Sequence, residues 1–312
     1  MKKQQVIAVV GPTASGKSSF ALALAKELKG EIVGMDSMQI YQHMNIGTAK
    51  ATLEERKIAP HHMIDILPPT ATYSVAQYRQ QAANVIEEIF ARGNQPILVG
   101  GTGLYYQAIL QPMELGNSKA NRALRKQLEE IAAKEGGKEQ LHQLLCSKDP
   151  RAGEKIHQND QKRVIRALEV IDETGKPFSD QKGMWKEDPP YQMIGFAMEI
   201  PREKLYARIE KRVDEMMEKG LLEEIGELLA MGVDPKGQSM QGIGYKELIP
   251  AFKQEESLQE AILLLKKNTR KYAKRQLTWF RRYDHITWLD FEGENIASAM
   301  KILESVEDRI NG

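Results

Sequence analysis

Residues 11–18 read GPTASGKS and satisfy G-x-x-x-x-G-K-[ST] at every fixed position. A continuous apolar, β-branched run, VIAVV at 6–10, comes just before, and a helix-forming segment, 19–28, comes just after. Strand, glycine loop and helix in that order strongly constrain the fold, because the loop works only where a buried parallel strand hands over to a helix N-terminus. Gly11 and Gly16 let the backbone turn its N–H groups onto phosphate oxygens, with Pro12, Thr13, Ala14 and Ser15 completing the cradle. Lys17 adds a mobile positive charge and the helix adds its dipole. Ser18 stands where a hydroxyl can ligate Mg²⁺. A phosphate site is expected at 11–18; whose phosphates it holds is left open by the loop alone.

Further apolar runs at 31–35, 96–99, 193–200 and 285–289 alternate with helical patterns such as 75–92. That alternation predicts an α/β fold, a P-loop-type doubly wound parallel sheet. From 117 to 186 the strand signal vanishes. Leu124, Leu128, Ile131 and Ala132, then Leu141, Leu144 and Leu145, then Val164, Leu168 and Ile171 follow helical spacing. The expected organisation is a catalytic core of residues 1–116 and 190–312, carrying C-terminal helices, with an all-helical insertion domain at 117–189. Residues 205–230 read as two helices broken near Gly220, and 258–282 as one long helix.

The chain has 44 Lys+Arg against 43 Asp+Glu over 312 residues, a net charge of +1. A wholesale polycation is excluded, so any nucleic-acid surface must arise from local clustering. Cys146 is the single cysteine, which excludes an intramolecular disulfide and a cysteine-based zinc cluster and suits a reducing cytosol. The Lys2-Lys3 start leads into an apolar run too short for a signal peptide, and no stretch approaches a membrane span. A cytoplasmic location, no membrane partner and a monomer are the default expectations.

For an ATP-driven motor, a later strand should end in an acid that holds the metal and a water. Glu199 in MIGFAMEIP and the acids of ITWLDFE are poor candidates. The nearest acid after a strand is Asp36, in IVGMDSMQIY, followed by Ser37, Met38 and Gln39. That composition points to substrate contact at the carboxyl end of a strand, where α/β folds bind ligands. In ILVGGTGLYYQ, position 106 is Tyr, so the dinucleotide fingerprint G-x-G-x-x-G fails. The segment reads either as a tight turn or as a backbone-and-Thr102 lining of the cleft that holds Asp36, and the second is favoured because both follow strands of one sheet.

Three basic clusters stand out. In NDQKRVIRALEVI, Asn159 or Asp160 can cap a helix that presents Gln161, Lys162, Arg163 and Arg166 opposite its apolar face. In KKNTRKYAKRQLTWFRR, Lys267, Lys271, Lys274 and Arg282 form a stripe flanked by Arg275. A lone charge run is more often a solvated face, but two such helices in a near-neutral chain make a backbone-tracking RNA or DNA surface the better account. In YARIEKRVDEM, Arg208 and Arg212 share a helix face. Either both pair with nearby acids, or one reaches the phosphate loop.

GPTASGKS, DSMQIY, GGTGLY, QKRVIRALEV, YARIEKRVDEM, IGYKE and KRQLTWFRR, in order from Val6 to Asp290, together resemble the tRNA dimethylallyltransferases, also called tRNA isopentenyltransferases. The resemblance implies transfer of a dimethylallyl group from dimethylallyl diphosphate to the exocyclic amine of the adenosine 3′ to a tRNA anticodon, with release of pyrophosphate and a need for Mg²⁺. It implies that the loop with Lys17, aided by Arg208 or Arg212, holds the diphosphate. On this reading Asp36 is expected to orient the amine and take its proton, and Thr102 to contact the adenine or its donor-facing edge. It further implies that the anticodon stem-loop is bound by the helical insertion. Asp36, Ser37, Met38, Gln39, Thr102, Gln161, Lys162, Arg163 and Arg166, with Lys271, Lys274, Arg275 and Arg282, form the expected tRNA-facing set. The rival readings are a nucleoside or nucleotide kinase, which leaves the basic helices unexplained, and an NTP-switched RNA-binding protein, which predicts nucleotide-dependent affinity.

Overall fold

The computed structural model describes residues 3–111, 122–183, 189–290, 292 and 295–311. The expected insertion start at 117 and the far end of the strandless stretch at 186 lie outside the described residues, as does Lys2. In chain order the first half of the core runs β1 (Gln5–Val10), α1 (Lys17–Glu27), β2 (Gly30–Met35), α2 (Leu53–Ile58), β3 (His61–His62), α3 (Val75–Ala91), β4 (Gln95–Gly100) and α4 (Gly103–Leu110). Four helices follow, α5 (Arg122–Ala132), α6 (Gly137–Lys148), α7 (Pro150–Lys155) and α8 (Gln161–Thr174). The chain then gives β5 (Gln192–Glu199), α9 (Arg202–Glu218), α10 (Leu221–Ala230), α11 (Tyr245–Phe252), α12 (Leu258–Phe280), β6 (Ile286–Asp290) and α13 (Asn295–Asn311). Short 3₁₀ turns lie at Phe178–Gly183 and Ser239–Gln241.

The chain separates into two compact units, residues 1–110 with 189–312, and residues 111–188. In the first, six parallel strands stand in the order β3-β2-β4-β1-β5-β6. This is a doubly wound α/β sheet, and its central strands are buried along almost their whole length because helices cover both faces. One face packs Val6, Ala8 and Val10 against Tyr78, Ile86 and Tyr106. The other packs Ile7 and Val9 against Phe20, Leu24 and Phe196. Each fully buried aliphatic side chain contributes about 2 kcal/mol of transfer free energy.

The register positions the site. Val10 pairs with Gly100, and Gly100 pairs with Met35, so three strand ends reach one level. The next residues, Gly11, Gly101 and Asp36, therefore leave the sheet side by side. Gly100 has no alternative here, since a Cβ on it would sit 2.2 Å from the Met35 carbonyl oxygen.

The second unit has its own core. Leu128, Ala132, Leu141, Leu145, Val164 and Leu168 are buried together, whereas Leu144 is exposed. α8 starts at Asp160, whose side chain accepts from the Arg163 N–H, and stops at Gly175 in the left-handed region. Its buried Glu169 receives Arg125 through two hydrogen bonds of 2.7 and 2.8 Å. Among the described residues no helix is long and apolar enough to cross a membrane.

Candidate active site

The phosphate loop is built as its glycines require. Gly11, Ala14 and Gly16 have φ of 133°, 63° and 88°. Two of the three pay no steric cost for that backbone, and Ala14 is held there from outside. Arg208 on α9 donates through Nε to the Ala14 carbonyl at 2.7 Å, and the Thr13 N–H donates to Gln276 Oε1 on α12 at 3.0 Å. Lys17, the first residue of α1, donates to the Pro12 carbonyl at 3.1 Å. Desolvation, helped by the nearby Arg212 charge and opposed by Asp36, holds its ammonium down at about 8. Ser18 is exposed at the loop's mouth, and the buried Ser15 hydroxyl has no protein partner.

Asp36 follows β2 and turns the chain. Its Oδ1 accepts from the Met38 N–H at 2.8 Å and the Gln39 N–H at 3.4 Å. The Ser37 N–H donates to the Thr102 hydroxyl at 3.3 Å, and the Thr102 N–H donates to the Met35 carbonyl, so the turns after β2 and β4 are tied together. Gly101 and Gly103 are required by close approach: a Cβ would meet Gln276 Nε2 at 1.9 Å in the first case and the Trp279 ring at 2.2 Å in the second.

These groups open onto a cleft of about 310 Å³ lined by Thr13, Lys17 and Ser18 of the loop and helix start and by Asp36, Ser37, Met38, Gln39 and Tyr272. Ile209, Val213, Met216 and Leu265 give it an apolar wall, and Arg212 and Arg275 add charge. A second cavity of about 900 Å³ contains Ala14, Ser18, Arg208, Lys211 and Arg212. Ser18 and Arg212 therefore border both cavities. Arg208 and Arg212 stand differently towards the loop. Arg208 is exposed and grips the loop backbone, whereas half-buried Arg212 stands in the cleft, its guanidinium pKa lowered by desolvation and raised in part by Asp36.

The expected RNA-facing residues divide. On α8, Lys162 and Arg163 are exposed, but Arg166 is half-buried and lies 3.6 Å from Glu169, so that face is less basic than its sequence suggests. Lys267, Lys271, Lys274 and Arg275 on α12, and Arg282 just after it, are all exposed. Arg282 stacks over Trp279 at 4.0 Å, and Phe280 is wholly buried in the core. Glu199 is exposed and pairs with Arg281 at 3.5 Å.

Sequence reasoning missed Gln276, Tyr272, Lys246 and Glu224. Burial pushes the Tyr272 phenol up, with Asp36 adding to the shift and Thr102 opposing it. Glu224, on α10, accepts the N–H groups of Asn45, Ile46 and Gly47 at 2.7, 2.7 and 3.0 Å. It thereby shapes the segment whose Gly47, Thr48 and Ala49 line the cleft. A Glu beside a helix-breaking glycine carried no signal of that task.

The IPP transferase family model matches residues 39–283, and the isopentenyl transferase model matches residues 4–64. A relative from Pelotomaculum thermopropionicum, named tRNA dimethylallyltransferase, is 47% identical over 305 residues, spanning 98% of this chain and 96% of its own. The crystal structure of a full-length tRNA isopentenylpyrophosphate transferase from Bacillus halodurans superposes with a TM-score of 0.73 at 41% identity, covering 99% of this chain and 97% of that one. A eukaryotic dimethylallyltransferase described as acting on tRNA superposes with a TM-score of 0.79 at 31% identity, covering 92% of this chain and 74% of that one. The chain belongs to the IPP transferase family of tRNA dimethylallyltransferases, enzymes that transfer a prenyl group to tRNA.

Proposed function

We propose that the phosphate loop holds the diphosphate of dimethylallyl diphosphate, that the cleft beyond it receives the adenosine next to a tRNA anticodon, and that Asp36 serves that adenosine's amine. The observation that carries this reading is the placement of Asp36 and Lys17 in one cleft with an apolar wall between the strand ends and α9. A kinase needs no such wall beside its phosphates. An isoprenoid chain does.

The chemistry follows from the side chains. Adenine's exocyclic amine is a poor nucleophile and far too weak an acid to lose a proton first. Once its nitrogen bonds to the allylic carbon, and the carbon–oxygen bond to the diphosphate breaks, the nitrogen is positively charged and strongly acidic. A carboxylate then takes the proton. Lys17, Arg212 and the loop N–H groups offset the charge of the departing pyrophosphate. Ser18 fits Mg²⁺ bound mainly through diphosphate oxygens and water. It is a single exposed hydroxyl at a helix N-terminus, and the described residues hold no cluster of three acidic, His or Cys side chains. The ion would supply further counter-charge to the diphosphate.

Lys162 and Arg163 on the helical unit, and the exposed cations of α12 on the core, suit contact with RNA phosphates in the cytoplasm. Flipping the base costs least in a loop, which suits an anticodon target. The test is direct: purified chain, Mg²⁺, unmodified tRNA and labelled dimethylallyl diphosphate should yield labelled tRNA. ATP consumption without label transfer would return the kinase reading.

A further inference from the structure

Gln276 is 5% exposed near the C-terminal end of α12, where the exposed neighbours include Lys271, Lys274 and Arg275. Its side-chain amide is used at both ends. Oε1 accepts from the Thr13 N–H at 3.0 Å, and Nε2 donates to the Gly101 carbonyl at 2.9 Å. Thr13 belongs to the phosphate loop after β1, and Gly101 directly precedes Thr102 in the turn after β4. The contact is enforced from the other side too, because any side chain at position 101 would overlap the amide nitrogen.

We infer that Gln276 is a positioning residue for the transfer reaction: one amide plane fixes the spacing between the turn that holds the donor and the turn that faces the acceptor base. The inference rests on the functional reading above. Gln276 reacts with nothing; it acts through the Thr13 and Gly101 peptide groups. Both hydrogen bonds are needed for that role, and at neutral pH a carboxamide supplies both the acceptor and the donor at this reach, where an ionised carboxylate supplies acceptors alone. Misplacement of reacting atoms by about 1 Å can cost on the order of 100-fold in rate, so a fixed spacing between the two turns has a kinetic consequence beyond stability.

Gln276→Leu removes both bonds, together with the side-chain contact to the Tyr272 phenol, at nearly constant volume. Gln276→Glu keeps an acceptor for Thr13 but, when ionised, sets a negative charge against the Gly101 carbonyl. The expected result for the Leu variant is a kcat about 10- to 100-fold lower. Its Kd for tRNA should be unchanged, and its Kd for pyrophosphate should move much less than kcat. For the Glu variant, activity relative to wild type should rise as pH is lowered from 8 to 6, since protonation restores a donor. That pH-dependent rescue is not expected of a side chain that merely fills space, and it decides the matter if the Leu variant fails to fold. A kcat within twofold of wild type, a loss matched by tRNA Kd, or a Glu variant whose ratio to wild type ignores pH would each overturn the inference. The wild-type chain in the same label-transfer assay tests the functional reading separately.

Discussion

Glu224 and Tyr245 meet through a 2.7 Å hydrogen bond, in which the phenol donates to a carboxylate only 6% exposed. The remaining lone pairs of that carboxylate take three consecutive backbone N–H groups, from Asn45 to Gly47. Tyr245 also closes against Gly47, where a Cβ would lie 2.6 Å from its ring. Glu224→Gln must aim an amide N–H at one pair of these donors. Its unfolding free energy should fall by about 2–4 kcal/mol, read by urea titration. A change below about 0.5 kcal/mol would show that the segment keeps its shape without the carboxylate.

Asp36→Asn retains the size and the hydrogen-bond acceptor that turns the chain at Met38 but cannot take a proton at neutral pH. Transfer should slow by about 10²–10⁴-fold with tRNA affinity held within a few-fold. Single-turnover label transfer beside filter binding separates the two quantities. A nearly normal rate would remove Asp36 from the role of base.

Lys17 gives a pH dependence with a definite sign. Its ammonium is held at about 8, below its ordinary value, so folding with the charge present carries a penalty that is full below pH 8 and fades above it. Anion binding wants the charged form. Pyrophosphate affinity attributable to Lys17, taken as wild type minus Lys17→Met, should therefore be constant below about pH 8 and decline above it. Calorimetric titration across pH 7–9.5 measures this difference, and a flat profile would contradict it.

Gly100→Ala drives a methyl group against the Met35 carbonyl, which is backbone in the middle of the sheet and cannot step aside. The expected cost is at least about 3 kcal/mol, at the upper end for core overpacking. A drop in melting temperature, by differential scanning calorimetry, should accompany loss of transfer. Gly93→Ala is the control, since nothing lies within 4 Å of its added Cβ, although its φ of 73° carries its own strain.

Replacing Lys162 and Arg163 together with Ala removes two exposed cations from α8. The slope of log K for tRNA against log salt should become shallower by about 1.5–2, the amount expected for two lost phosphate contacts. An unchanged slope would make that helix face a solvated surface and nothing more.

Much of the sheet could be read in the chain. The continuous apolar runs became β1, β2, β4, β5 and β6 within a residue or two, because strands buried on both faces leave an unambiguous pattern. The two-residue β3, His61–His62, has no such run and exists only by pairing with Ile32 and Val33. α11 begins after Gly244 in a positive-φ conformation and carries Pro250 inside it, so local rules argued against a helix that tertiary packing nonetheless holds. At the site, Lys17 and Asp36 were legible because each directly follows a strand or its glycine loop. Gln276 was not, since its partner Thr13 lies 263 residues away. The pairing of Arg166 was not legible for a related reason: its neighbour Glu169 sits one turn on, and the burial of that carboxylate cannot be seen in sequence.

The common level of Val10, Met35 and Gly100 has a consequence for how such a chain can vary. A slip of one residue in the pairing of β4 would carry Thr102 about 3.3 Å along the strand while leaving the phosphate loop in place. That displacement exceeds the tolerance for forming a bond between two bound substrates. The hydrogen-bond ladder inside the sheet is thus a length standard for the reaction, and substitutions deep in β4 answer to the chemistry as well as to the core they fill.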